Sequence, residues 1–366
     1  MEKRLDALRK RFRSIGVSNF IVTRFENFDQ GNIRYLCGYT GSNGILLVTE
    51  KDAHFITDGR YTSQAGLQVK GAEVHIYSGG TSISDAFVRE LKNNEAITLH
   101  GKIGIESTST SVQFVSALRE AFPNSQIVET NEVVELLSAV RDEEEIDAVR
   151  RAAAITDKVF EKLTELIKPG VTESQISAEI TYHHKVFGAE RNAFEPIVAS
   201  GLRSALPHGI ASNKVIEKGD FVTCDMGGFV DGYASDATRT YVVGKPSAKQ
   251  KEVYQIVYEA QCTAEEAVAP GVKACDIDSI ARNIISKAGY GQYFTHSLGH
   301  GLGHVVHAYP RLSYVSKSKL EPGNIVTVEP GIYIHDFGGV RIENDIVVTT
   351  NGHEVLNKFP KELIEL

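Results

Sequence analysis

The sequence predicts an α/β domain with a mixed sheet, followed by a larger α+β domain made of two pseudo-symmetric halves. Three observations carry this reading. The first third of the chain alternates short β-branched segments with amphipathic ones. The remainder repeats its own turn and strand signatures at a spacing near 100 residues. The 366 residues suffice for two domains at roughly 100–200 residues each.

Taken in order, residues 2–15 have helical periodicity, with charges spread throughout and no apolar run of the kind a signal peptide needs. Segments 20–23, 44–49, 53–57 and 102–106 are short, β-branched and bounded by turn residues, which predicts strands. Residues 82–93 and 111–122 predict helices. A charged helical region runs from about 131 to 166, and its Arg141–Glu145 stretch reads as a solvated face. The boundary is placed just ahead of it, giving domains 1–130 and 131–366. Within the second domain, Pro169-Gly170-Val171 and Pro270-Gly271-Val272 stand 101 residues apart, each opening a helical stretch. The segments 219–225 and 323–329 also match, 104 residues apart. Two segments sharing nearly one offset indicate an internal duplication with a cleft between the halves. His183 and His184 fall in a helix and read as solvent-facing.

Charge and composition exclude several function classes. Lys plus Arg is 39 against 47 for Asp plus Glu, a net charge of −8. Nucleic-acid phosphates call for a positive surface, so no nucleic-acid partner is expected. No stretch approaches the ~18 consecutive apolar residues of a membrane span, so no membrane partner is expected either. Four scattered cysteines without a C-x-x-C pair read as reduced thiols of a cytoplasmic protein. Neither a G-x-S-x-G nor an H-E-x-x-H motif is present, which leaves serine-hydrolase and zincin chemistry unsupported.

The chemistry concentrates in the duplicated region. Successive side chains of a strand alternate faces, so Thr223 shares a face with Asp225, and Thr327 with Glu329. Each hairpin's return strand carries a further acid, Asp236 in one half and Glu343 in the other. If the halves face one another, four carboxylates converge. Buried carboxylates cost several kcal/mol each unless paired or bound to a metal, and two divalent cations would remove their repulsion. A histidine cluster at His296, His300, His304 and His307 supplies imidazole, and glycines 299, 301 and 303 mark close backbone approach. Oxygen donors with one imidazole suit manganese, cobalt, iron or zinc.

Asp225, Asp236, His300, Glu329 and Glu343, in this order, resemble the five metal ligands of the pita-bread metallopeptidases. The spacing of the two aspartates, the histidines at 296, 300 and 307, and Arg341 two residues before Glu343 are similar to the prolyl-specific branch, which includes aminopeptidase P and prolidase. His208, 17 residues before Asp225, stands where that branch has a substrate-side histidine. Two positions depart from the pattern: His304 replaces an aliphatic residue, and Ala308 an acid. The resemblance covers the whole chain and implies a creatinase-like N-terminal domain ahead of a pita-bread catalytic domain. It further implies two divalent cations, manganese first and cobalt or zinc as alternatives, with Asp236 and Glu343 bridging them. Asp225 would complete one ion's ligands, and His300 with Glu329 the other's. His208 and His307 would donate to substrate oxygens, Glu329 would shuttle a proton, Arg341 would orient carboxylates, and His296 would support the site from behind. The implied activity is Xaa-Pro hydrolysis on proline-containing oligopeptides or dipeptides, by a homodimer. Aminopeptidase P is the leading expectation, prolidase the alternative, and a metal-free pita-bread scaffold protein the remote one.

Overall fold

The computed structural model describes residues 1–26, 31–77, 82–94, 97, 99 and 101–366. The chain forms two compact units, Met1–Ser138 and Ala139–Leu366.

The first unit holds helices α1 (Glu2–Ile15), α2 (Asn32–Cys37), α3 (Thr62–Gln68), α4 (Ile83–Asn93), α5 (Val112–Ala121) and α6 (Val133–Ser138), and strands β1 (Asn19–Arg24), β2 (Gly44–Thr49), β3 (Ala53–Asp58), β4 (Glu73–Tyr77), β5 (Ile103–Glu106) and β6 (Ile127–Thr130). The strands make one sheet in the order β4-β3-β2-β1-β5-β6. β1–β2 and β2–β3 pair antiparallel, while β3–β4, β1–β5 and β5–β6 pair parallel, so the sheet is mixed. Its central strands are apolar on both faces because helices cover both. Phe20, Val22, Leu46 and Val48 pack with Leu5, Leu8 and Phe12 of α1, whereas Ile21, Ile45 and Leu47 pack with Phe87 of α4 and Phe114 of α5. The two edge strands, β4 and β6, escape the sequence reading because they are half-exposed and carry polar residues at Glu73, His75 and Glu129.

The second unit shows the expected two halves. The first contains α7 (Glu143–Leu166), α8 (Glu173–Val186) and strands β7 (Ile197–Ser200), β8 (Phe221–Met226), β9 (Phe229–Val230), β10 (Tyr233–Ala234) and β11 (Ala237–Val242). The second contains α9 (Ala248–Glu266), α10 (Ala274–Lys287) and strands β12 (Gly299–Gly301), β13 (Ala308–Leu312), β14 (Ile325–Val328), β15 (Gly331–Ile334), β16 (Gly338–Arg341), β17 (Asn344–Val348) and β18 (His353–Val355). The sheets correspond: β11-β8-β7 in one half matches β17-β14-β12 in the other, within the order β13-β12-β14-β17-β18. In each, a small hairpin, β9–β10 or β15–β16, interrupts the pair of strands that carries the acids. Helices back both sheets: Phe160, Ile176 and Ile180 cover Val198, Val222 and Cys224, and Val257, Ile277 and Ala281 cover Val326 and Val328. Among the described residues no helix is long and apolar enough to cross a membrane.

Two local expectations are corrected. The Arg141–Glu145 stretch is not wholly solvated. Asp142 and Glu145 form the capping box that starts α7, Glu145 accepts the Tyr233 hydroxyl at 2.8 Å, and Arg141 and Glu145 are buried. His184 is not solvent-facing. It is fully buried, with Nδ1 3.0 Å from Asn192 Oδ1, and burial lowers its pKa to about 4. A periodic helix pattern does not reveal which face a polar residue takes when a second polar group waits inside.

Candidate metal centre

A cleft of about 700 Å³ in the second unit is lined by Asp225, Asp236, His208, His296, His300, His307, Glu329, Arg341 and Glu343. Every site residue expected from the sequence therefore lines one cavity. Backbone pairing explains the convergence. Asp225 lies near the end of β8, and Asp236 directly precedes β11, in a register that sets Thr238 opposite Asp225. Glu329 directly follows β14 and Glu343 directly precedes β17, with Val328 opposite Asn344. Each half thus delivers two carboxylates from neighbouring strand ends.

His300 enters between them on β12, which is squeezed between β13 and β14. A Cβ at Gly299 would collide with the Thr327 carbonyl oxygen, and one at Gly301 with the Tyr309 carbonyl oxygen, so only glycine permits this approach. His300 Nδ1–H donates to the Gly301 carbonyl at 3.1 Å, which leaves Nε2 as the lone-pair nitrogen. That Nε2 lies 3.5 Å from Asp236 Oδ2 and 3.4 Å from Glu329 Oε1. One donor atom each from Asp236, His300 and Glu343 lies within 4.8 Å of the others.

The carboxylates are held from behind. Arg341, buried, donates from Nη2 to Asp225 Oδ2 at 2.5 Å and from Nε to Thr238 Oγ1 at 3.1 Å. The Thr238 hydroxyl in turn donates to Glu343 Oε2 at 2.6 Å. The Asp236 backbone N–H donates to Asp345 Oδ2 at 3.0 Å. Arg341 also donates to the Tyr333 hydroxyl at 2.9 Å. His296 Nδ1–H is taken by the Ser297 carbonyl, so its Nε2 accepts the Tyr333 O–H, 2.9 Å away. Thr238, Tyr333 and Asp345, together with Arg311 on the cleft wall, are members of the site that sequence reasoning missed. Only Thr238 left a trace, by sharing a strand face with Asp236.

Crowding sets the electrostatics. Burial, then Glu343 and Asp225, raise the Asp236 pKa well above the usual carboxylate range. Burial, then Glu329 and Asp225, do the same to Glu343. Burial pushes Glu329 up to about 8, with Asp225 adding to the rise and Arg341 opposing it. Burial and His307 lower His300 to about 3, and burial with Arg341 lowers His296 to about 4, so both imidazoles are neutral at pH 7. Partial desolvation and His208 also lower His307.

Asp225 Oδ1, Asp236 Oδ1 and Glu343 Oε1 are buried without a hydrogen-bond partner. Such oxygens are costly unless a cation satisfies them, and four carboxylates with one neutral imidazole are a donor set for divalent ions. His304 contributes elsewhere. Its ring packs tilted against Tyr233, with centroids 4.1 Å apart, and its Nδ1 lies 2.9 Å from the Gly232 carbonyl, so this departure from the pattern packs the β9–β10 hairpin.

Residues 147–350 match the model of metallopeptidase family M24, and residues 4–140 match the creatinase/prolidase N-terminal domain. An Xaa-Pro dipeptidase of Pyrococcus horikoshii is 40% identical over 334 residues, covering 91% of this chain and 92% of its own. Among solved structures, an Xaa-Pro dipeptidase from Bacillus anthracis superposes with a TM-score of 0.93 at 42% identity, covering 100% of this chain and 99% of its own. An X-Pro aminopeptidase from Thermotoga maritima reaches 0.87 at 37% identity, covering 98% and 100%. With its fold, its acid-and-imidazole cleft and these matches together, the chain belongs to metallopeptidase family M24, with a creatinase/prolidase N-terminal domain preceding the peptidase domain.

Proposed function

We propose that this metallopeptidase is an Xaa-Pro dipeptidase, cleaving the bond before proline in dipeptides. The observation that carries metal-dependent hydrolysis is the set of three buried, unpartnered carboxylate oxygens, of Asp225, Asp236 and Glu343, in the cleft that also holds His300. The choice of dipeptides over longer peptides rests on two supports. The Pyrococcus horikoshii and Bacillus anthracis proteins are both named Xaa-Pro dipeptidases, which moves the reading away from aminopeptidase P. In addition, Arg311, exposed on the cleft wall beside His307, offers a guanidinium to a substrate carboxylate, and only a dipeptide carries its C-terminal carboxylate on the proline itself.

Asp236 and Glu343 would hold both ions, Asp225 one of them, and His300 with Glu329 the other; manganese, cobalt and zinc all suit these donors. When bound, the ions supply an acidified water and a polarised scissile carbonyl. The protein's own groups do the rest. Glu329 takes a proton from the attacking water and passes it to the leaving prolyl nitrogen, which as a tertiary amide nitrogen must gain one to depart. His307, neutral at pH 7, and His208 donate N–H to substrate oxygens. Arg341 and Thr238 keep Asp225 and Glu343 aimed, and Tyr333 ties Arg341 to His296.

The deciding assay measures release of the N-terminal residue from Xaa-Pro and from Xaa-Pro-Xaa by the manganese-loaded protein. Dipeptide turnover well above tripeptide turnover is expected. Faster tripeptide cleavage would assign aminopeptidase P, and no turnover with manganese or cobalt would favour a binding protein.

A further inference from the structure

The first unit carries a second cluster of metal-ligating side chains, one that the proposed reaction does not use. β3 and the edge strand β4 run parallel with His54 opposite Glu73, and His75, two residues beyond Glu73, shares its face. His54 Nδ1 lies 3.1 Å from His75 Nε2 and 3.7 Å from Glu73 Oε2, and His75 Nε2 lies 4.0 Å from Glu73 Oε2. Ligands about 2.0–2.1 Å from a tetrahedral zinc ion stand about 3.3–3.4 Å from one another. The His54–His75 gap therefore opens by about 0.2–0.3 Å and the two gaps to Glu73 close by about 0.3–0.7 Å, and the exposed Glu73 side chain can swing inward. The histidines are placed by the fold, with side chains 4% and 10% exposed.

Supporting features surround the triad. Asn94 Nδ2 lies 2.9 Å from His75 Nδ1. Exchanging the amide's nitrogen and oxygen by a half-turn would let the oxygen accept Nδ1–H and leave Nε2 as the lone-pair donor, a backing common behind ligating histidines. His54 and Glu73 also line a solvent-open cleft of about 710 Å³, whose walls include Glu2, Asp6 and Asp52 with Arg9 and Lys51. The cleft leaves room for a water as fourth ligand.

We propose that His54, Glu73 and His75 bind one divalent transition-metal ion, zinc by their donor chemistry, and that this ion ties the edge strand β4 to β3. The site is independent of whatever the second unit hydrolyses.

Metal-stripped full-length protein, equilibrated with zinc and gel-filtered, tests this by zinc per chain. His75→Gln should lower the content by about one zinc per chain, and with manganese alone its kcat/KM should equal the wild type's. In a chain carrying Asp236→Ala and Glu343→Ala, about one zinc should remain, and adding His75→Gln should remove it. Cobalt in that background should give the visible absorption of a four-coordinate ion, lost with His54→Gln or His75→Gln. Equal zinc in wild type and in both histidine variants, each shown folded by circular dichroism, would overturn the proposal. So would zinc-independent melting of the first unit.

Discussion

Thr238 illustrates how much of the site's order rests on single side chains outside the ligand set. Its hydroxyl accepts from Arg341 and donates to Glu343, so one atom links an acid of the second half to the guanidinium that grips Asp225. Thr238→Val keeps the shape and removes both bonds. Groups that orient metal ligands typically contribute 10–100-fold, so a loss of about that size in manganese affinity and kcat/KM is expected, with little change in fold. Unchanged affinity by titration would show that Glu343 needs no such restraint. Arg311 acts on substrate instead. A hydrogen bond to a charged group contributes roughly 1.5–3 kcal/mol, so Arg311→Ala should raise KM for Xaa-Pro about 10–100-fold while leaving Xaa-Pro amide, which lacks the carboxylate, nearly unaffected. Equal effects on both substrates would remove the carboxylate-pairing role.

At the level of elements, the doubled strand pair explains the cleft, and β12 is its most constrained member. Gly299→Ala would drive a methyl group into the Thr327 carbonyl. Overpacking of this kind costs about 1–3 kcal/mol, and the strain falls on the backbone that places His300. The variant should melt lower and bind less manganese; wild-type values in calorimetry and metal analysis would show that β12 is looser than its geometry indicates. The same element marks what could be read beforehand. The alternation of side chains along β8 and β14 brings each carboxylate onto the face of its threonine, and the glycines around His300 announce close approach, so these residues were legible one strand at a time. Arg311, Tyr333 and Asp345 were not, and Thr238 only faintly. Thr238 and Glu343 are 105 positions apart, and no local periodicity encodes which side chain of one half will meet which of the other. The edge strands β4 and β6 were lost for a different reason: half-exposed strands with charged residues look like loops to any pattern based on hydrophobicity.

Across the whole molecule, buried carboxyls couple stability to pH in a direction opposite to ordinary acid unfolding. Burial and Glu135 raise Glu106 of the first unit from 4.5 to about 8, as the cleft raises Glu329 from 4.5 to about 8. Between those values the folded chain holds protons that the unfolded chain has released. Stability is therefore fullest below about pH 4.5 for these groups and is lost as pH rises toward 8. Buried His184, His296 and His300, with pKa values lowered to about 4, 4 and 3, add the opposite slope below the ordinary 6.5, so the carboxyl effect is clearest between about pH 7 and 8. There each retained proton corresponds to a loss of about 1 kcal/mol per pH unit. The two sources separate experimentally. Manganese replaces the protons of the second unit's cleft and should flatten only that unit's slope. Glu106→Gln removes the titrating group beside Asn32 and Ser109 and should flatten only the first unit's. Calorimetry of the ion-free chain at pH 7 and 8, with and without manganese, in wild type and Glu106→Gln, measures both. An ion-free wild type whose melting temperature rises over this interval would show that these carboxyls ionise as exposed ones do, and that neither burial nor crowding holds protons on them.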